Sequence, residues 1–218
     1  MRRLLNNKDN YNLKEEIASS ITHGIGVALA VAALVILVVF ASIQGNPWKI
    51  VSFSIYGASM IILYMASTFY HAFQKPKVKN VFKIFDHASI YILIAGTYTP
   101  FTLVTIRGGW GWSIFGIIWG LAITGIFFKA FFIHRFKLIS TLLYVLMGWF
   151  IVIAMKEVLA NLDTMGLIWL IIGGVSYTGG VFFYLNDKIK FNHAIWHLFV
   201  LGGSICHFFA ILFHVLPK

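Results

Sequence analysis

The hydrophobic positions of the chain form long, nearly unbroken stretches that short polar segments separate. A helix needs about 20 mostly apolar residues to cross the hydrocarbon core of a bilayer. Seven stretches reach this scale, at roughly 21–43, 50–73, 84–106, 110–128, 138–155, 165–185 and 191–216. Polar and turn-forming residues bound them, as in Gly45-Asn46-Pro47. The pattern predicts an all-α membrane protein, folded as a bundle of seven transmembrane helices.

Composition supports this prediction and leaves little room for a separate soluble module. Of the 218 residues, 60% are hydrophobic and 11% are charged, whereas soluble domains have about 45–50% and about 25%. Residues 1–16 lack the apolar stretch of a secretory signal, so we expect them to be retained. We therefore predict a cytosolic or interfacial N-terminal segment, 1–16, and one seven-helix domain, 17–218.

The basic residues are unevenly divided between the two sides of the predicted bundle. If the N-terminus is cytosolic, 13 of the 17 Lys and Arg residues lie in inner segments and 4 in outer segments. Basic residues favour the cytosolic side of short loops, which predicts that the N-terminus is inside and the C-terminus outside. Topology and anionic headgroups then account for the net charge of +10. We expect membrane lipids as partners, and no nucleic acid.

Two sequence features predict how the helices pack. Small residues recur at helical spacing in Gly116-xxx-Gly120 and in Gly173-Gly174 with Gly179-Gly180, and such residues let helices approach closely. Pro100 lies inside the third stretch. A proline there frees a backbone carbonyl and predicts a kink.

Five ionisable side chains lie near the ends of the predicted helices on one side of the membrane. His71 closes the second stretch, Asp86 and His87 open the third, and His193 and His197 open the seventh. Placing an ionisable residue within a span costs about 2.5–3.5 kcal/mol on insertion scales, so such residues suggest function. In the predicted topology they lie near the cytosolic face.

Their spacing suggests a metal site. His193 and His197 stand at i and i+4, so both imidazoles project from one helix face. With His71 they could form a three-histidine site, and zinc sites with three protein ligands and an open position are of the catalytic type. Ser67 could hydrogen-bond the water or a substrate, and Asp86 could hold or deprotonate the water. From the residues alone, a structural hydrogen-bond network is an equal alternative.

The other histidines are expected outside this set. His23 could be a fourth ligand or lie behind the ligands, but a packed, hydrogen-bonded role is favoured. His87 points about 100° away from its neighbour around the helix, and we expect it to contact another helix. His134 belongs to a basic loop and is expected to be solvated. His207 and His214 lie about 15 Å and about 25 Å farther along the last helix than the pair at its start, too far to join them.

These motifs together resemble the bacterial hemolysin III family. The resemblance rests on Ser67-xxx-His71, Asp86-His87 followed by Ala95-Gly96-Thr97-Tyr98-Thr99-Pro100, His193-xxx-His197, and Glu15-Glu16 with Thr22-His23-Gly24. That family belongs with the progestin and adipoQ receptors and is more distantly similar to alkaline ceramidases. The resemblance covers essentially the whole chain, including the seven spans and their orientation.

The resemblance implies a zinc ion near the cytosolic face, held by His71, His193 and His197, with Asp86 and Ser67 close to its water. The leading hypothesis is a zinc-dependent hydrolase of lipid amides or esters in the cell membrane. Two alternatives stay open: a pore-forming cytolysin, as the family name suggests, and a receptor or membrane-homeostasis protein with structural zinc. A haem protein is a more distant alternative.

Overall fold

The computed structural model describes residues 2–132 and 135–217, with side chains from residue 13 onward. Its α-helices are α1 (Arg2–Ile43), α2 (Pro47–Ala72), α3 (Pro76–Pro100), α4 (Gly108–Phe132), α5 (Lys137–Trp149), α6 (Met155–Asn161), α7 (Thr164–Leu185) and α8 (Asn192–Ala210). Helix α3 continues as a π-helical turn at Phe101–Ile106, a 3₁₀ turn at Phe150–Ala154 joins α5 to α6, and a π-helical turn at Ile211–Val215 ends α8.

Seven helical segments are long and apolar enough to cross a membrane. They are Leu13–Ile43, Pro47–Ala72, Pro76–Ile106, Gly108–Phe132, Lys137–Asn161, Thr164–Leu185 and Asn192–Val215. The predicted seven-helix bundle is therefore confirmed, and the protein is a multi-pass membrane protein. The orientation of the termini stays a prediction.

The first and third helices begin well before the apolar stretches that predicted them. Helical structure in α1 already includes Glu15 and Glu16, and α3 begins at Pro76 and includes Lys79. Hydropathy marks only the apolar part of a helix, because a helix need not end where the hydrocarbon region ends. These extra polar turns matter, since they carry side chains to the histidines.

Packing is strongest between neighbours in the chain and weakest around α5. The pairs α1–α2, α2–α3 and α7–α8 pack extensively, and α8 also packs against α1. This arrangement brings the end of α2 beside the start of α8. Helix α5 makes few contacts with α3, α4 and α7, which leaves space inside this side of the bundle.

Pro100 interrupts the regular hydrogen bonding of α3 without ending the helix. The chain passes into the π-helical turn at Phe101–Ile106. Threonine hydroxyls on either side donate to backbone carbonyls, Thr99 to Ala95 at 2.8 Å and Thr102 to Tyr98 at 3.0 Å. The predicted irregularity in the third span therefore takes the form of a wider helical turn.

The close packing predicted at the glycine motifs is found at one motif and not at the other. Cβ atoms added at Gly173 and Gly180 would meet His207 and Phe199 at the α7–α8 contact, so the predicted close approach there is confirmed. Around Gly116 and Gly120 nothing in the described part of the chain lies within 4 Å of such an atom, and the predicted tight packing there is wrong. These two glycines lie on the outward face of α4, whereas Gly125 packs against a ring of α3.

Candidate metal centre

Three of the predicted site residues meet where α2 ends and α8 begins. One nitrogen from each of His71, His193 and His197 lies within 4.8 Å of the other two. His71 and His197 are buried, with their Nε2 atoms 3.0 Å apart, and His193 is half-buried. The spacing of the pair on α8 therefore directs both rings toward the histidine of α2, as predicted.

The backbone at the start of α8 determines where its first histidine lies. Phe191 has a positive φ of 57° immediately before the helix, which turns the chain sharply into α8. Backbone N–H groups in the first turn of a helix have no partner within the helix. The N–H of His193 donates to Glu15 Oε1 of α1 at 3.2 Å, so α1 caps the turn that carries His193.

Glu16 of α1 contacts the ring of His71 on the side away from the cluster. Its Oε2 atom lies 2.9 Å from His71 Nδ1 and also accepts a hydrogen bond from Lys79 Nζ at 2.8 Å. A proton on Nδ1 leaves the lone pair of Nε2 facing the other histidines, a common arrangement for metal-binding imidazoles. The sequence placed Glu15 and Glu16 only in the motif that suggested the family, and their role appears in the structure.

The nitrogen atoms of the cluster fit a transition-metal ion. The Nε2 atom of His193 is buried and has no hydrogen-bond partner among the described residues, and such atoms are rare because each is costly. His71 Nε2 and His197 Nε2 face one another, and a bound cation would give both lone pairs a partner. Imidazole ligands suit zinc, copper, iron and nickel better than magnesium or calcium. The cluster therefore has the chemistry of a three-histidine metal site.

The two predicted polar partners are both buried, and each has an oxygen without a hydrogen bond. Asp86 is 1% exposed and interacts electrostatically with His71 and His193. Its Oδ2 atom lies 3.2 Å from His87 Nδ1 but makes no hydrogen bond with a described residue. Ser67 lies one turn before His71, fully buried, and its hydroxyl also has no partner in the described part of the chain.

His23 lies closer to the cluster than predicted. Its ring centroid is 3.6 Å from that of His197 and 5.0 Å from that of Tyr64. Neither ring nitrogen has a hydrogen-bond partner among the described residues. The prediction of a packed histidine is thus right, but the predicted hydrogen bonding is wrong, because apolar and aromatic side chains surround the ring.

The remaining histidines lie elsewhere. His87 Nδ1 lies 2.9 Å from the carbonyl of Lys83 within α3. Its ring also lies 6.3 Å from that of Tyr70 on α2, and its backbone carbonyl accepts a hydrogen bond from Tyr144 of α5 at 3.0 Å, so the predicted contact with another helix is confirmed. His207 and His214 do not join the cluster, as predicted. They contact the Leu170 carbonyl at 3.1 Å and Asp163 at 2.8 Å. His134 lies outside the described residues.

An apolar cleft enters the bundle next to the cluster. Together with the open space at its mouth it has a volume of about 980 Å³, and it extends from Asp86 and His23 to His207. The three clustered histidines are not among the residues that line it, but the ring of His23, which does line it, lies 3.6 Å from that of His197. Its walls come mainly from α3, α5, α7 and α8, where α5 packs loosely. The surface that these residues present to the cleft is almost entirely apolar, so the cleft suits a mostly apolar molecule.

Several known proteins are similar to this chain in sequence. The chain is 54% identical to "Hemolysin-3" of Bacillus cereus over 205 residues, 94% of each chain. It is 50% identical to "Hemolysin-3 homolog" of Bacillus subtilis (strain 168) over 204 residues, 94% of this chain and 96% of the relative. It is 30% identical to "Monocyte to macrophage differentiation factor" of Homo sapiens over 203 residues, 90% of this chain and 83% of the relative.

No solved structure matches the chain at a significant level. The family model described as "Haemolysin-III related" matches residues 11–208. This range includes both glutamates of α1 and all three clustered histidines. The family model and the two bacterial relatives agree, so the chain belongs to the haemolysin-III related family.

Proposed function

We propose that this protein is a zinc-dependent hydrolase that cleaves lipid amides or esters within the membrane. The observation that carries the proposal is the cluster of His71, His193 and His197, two of them buried and one half-buried, beside an apolar cleft. Three nitrogen ligands leave room for water and substrate, the pattern of catalytic zinc sites. A zinc ion held there would make water more acidic and would polarise a carbonyl group.

The polar residues beside the triad have roles that follow from their chemistry. Asp86 is a buried carboxylate at the end of the cleft, and its Oδ2 atom, 3.2 Å from His87 Nδ1, can accept a proton from the attacking water. Ser67 offers a buried hydroxyl without a described partner, which can donate to the water or to the developing oxyanion. Glu16 holds the ring of His71 in place.

The cleft supports a lipid rather than a soluble substrate. Residues such as Leu93, Val181 and Val200 line it, and they favour acyl chains. A lipid in the cleft would place an amide or ester bond near Asp86 at the polar end.

Turnover of labelled ceramides and lipid esters by the purified, reconstituted protein tests this proposal. Asp86→Asn should keep the metal and lose at least about 100-fold in rate, the usual contribution of a general base. His71→Ala should lose both metal and turnover, while His214→Ala, a histidine outside the cluster, should keep both. Equal turnover by wild type and the metal-free His71→Ala protein would contradict the proposal. Full function in Asp86→Asn, with unfolding of the histidine variants, would support structural zinc instead.

A second candidate is a cytolysin, which the printed name of the relative "Hemolysin-3" favours. Lysis of red cells by the purified protein would separate the two functions. If Asp86→Asn and wild type lyse cells equally, lysis does not depend on hydrolysis. If the wild-type protein leaves red cells intact, the cytolysin is excluded.

A further inference from the structure

Lys129 is a buried cation without an anion. It lies in the last turn of α4, on the face of the bundle that carries the histidine cluster, and is 2% exposed. It makes no hydrogen bond or ion pair with any residue that the structure describes. A buried charge is costly unless it is paired, so this position is unfavourable for a lysine unless something outside the chain compensates it.

A second lysine makes the position less favourable still. Lys83 of α3 interacts electrostatically with Lys129, and two like charges repel. Lys83 is half-buried, and its ammonium group has no partner in the described part of the chain. The two helices that carry these lysines pack against each other.

The acidic residues of the chain do not neutralise this pair. There are seven, and the side chain of Asp9 lies outside the described ones. On this face of the bundle, the others contact different groups: Glu15, Glu16, Asp86 and Asp187. Glu157, in α6, and Asp163, just before α7, lie toward the other end of the bundle. An anion that compensates these lysines would therefore have to come from outside the described residues.

The surroundings favour an anion that carries apolar chains. Phe128, Phe132 and Phe136 form an aromatic cluster at the end of α4, with neighbouring ring centroids 5.3–6.1 Å apart. Within this cluster, Phe132 and Phe136 are 42% and 47% exposed. A phosphate group on an acyl-bearing molecule could pair with the lysines while its chains pack on these rings. Basic pockets between transmembrane helices commonly bind anionic headgroups in this way.

We propose that Lys129 and Lys83 form a binding site for the phosphate of an anionic lipid headgroup, between α3 and α4. The site is independent of the proposed hydrolysis and uses none of its residues. We expect arginine at either position to bind the headgroup almost as well as lysine, since arginine also binds phosphate.

Thermal unfolding in nanodiscs tests the proposal. In phosphatidylglycerol the Tm of the wild type should exceed its Tm in phosphatidylcholine by about 5 °C. Lys129→Met should lose most of this rise, as should Lys83→Met, whereas Lys129→Arg should keep it. Lys190→Met removes an exposed lysine from the same face and should also keep it. In neutral detergent Lys129→Met should be at least as stable as wild type, because it removes an uncompensated buried charge.

Three results would overturn the proposal. The first is an equal Tm of the wild type in the two lipids. The second is a full phosphatidylglycerol response in both Lys129→Met and Lys83→Met. The third is an equal rise of the Tm when about 10 mM inorganic phosphate is added to the wild type in phosphatidylcholine. This concentration would fill a site of about millimolar Kd, and the anion would then be free phosphate and not a headgroup.

Discussion

The Oε2 atom of Glu16 lies 2.9 Å from Nδ1 of His71, so the first helix holds a ring that the second helix carries. Lys79 of the third helix contacts the same oxygen at 2.8 Å. Three helices therefore meet at one carboxylate behind the histidine cluster. This contact fixes the orientation of His71, as carboxylate partners of metal-binding histidines do.

Replacing Glu16 should weaken metal binding without removing a ligand. Glu16→Gln keeps a side-chain oxygen that can accept a hydrogen bond but removes the negative charge. We expect zinc affinity to fall by about 10–100-fold, the usual effect of changing such a partner. Competition with a chelator of known affinity measures it. Glu157→Gln, at the other end of the bundle, is the matched control, and equal affinities of the two variants would contradict this role.

Much of the fold could be predicted from the sequence because a bilayer restricts the alternatives. Each span must be long and apolar, and this requirement located all seven helices. Helix ends were harder, since polar turns such as the one around Glu16 extend beyond the hydrocarbon region. Packing faces were harder still. Gly116-xxx-Gly120 has the right spacing for contact, but only the three-dimensional arrangement shows that it faces outward.

Adding a methyl group to the inner face of α4 should destabilise the bundle. A Cβ atom at Gly125 would collide with the ring of Tyr91, which is 1% exposed and packs against Tyr144 with centroids 4.5 Å apart. The ring has no room to move, so Gly125→Ala should cost about 1–3 kcal/mol. Thermal unfolding in detergent measures the effect.

Gly116→Ala is the control for this substitution, because no described atom lies near its added methyl group. It should be neutral, or stabilising by up to about 1 kcal/mol through helix propensity. If Gly125→Ala proves as stable as Gly116→Ala, the α3–α4 contact is looser than described.

A buried lysine of the second helix donates a hydrogen bond to the end of the last helix. Lys49 is 3% exposed, and its Nζ atom donates to Gln44 Oε1 at 2.6 Å and to the carbonyl of Leu216 at 2.7 Å. A cation also stabilises the carbonyl end of a helix. Lys49→Met keeps the length of the side chain but leaves the carbonyl without this donor, and should cost about 1–3 kcal/mol. Thermal unfolding should show no comparable loss of stability for Lys156→Met, which replaces an exposed lysine. An equal loss of stability in both variants would contradict this role of Lys49.

The site was partly predictable for a similar physical reason. Ionisable residues are rare inside spans, and that rarity singled out His71, Asp86 and the histidine pair of α8. Sequence spacing gives neighbours on one helix but not between helices, so the ring contact between His23 and His197 could not be derived. The contact of Glu16 with His71 spans 55 residues and likewise depends on how α1 packs.

The metal content of the purified protein tests the central claim most directly. Wild type, His193→Ala and the control His214→Ala should be purified without chelators, loaded with zinc, freed of excess metal and analysed by mass spectrometry. We predict about one zinc ion per chain for wild type and His214→Ala, since three histidines hold a single ion, and almost none for a folded His193→Ala protein. Equal zinc in His193→Ala and wild type, or none in wild type, would contradict a three-histidine metal site.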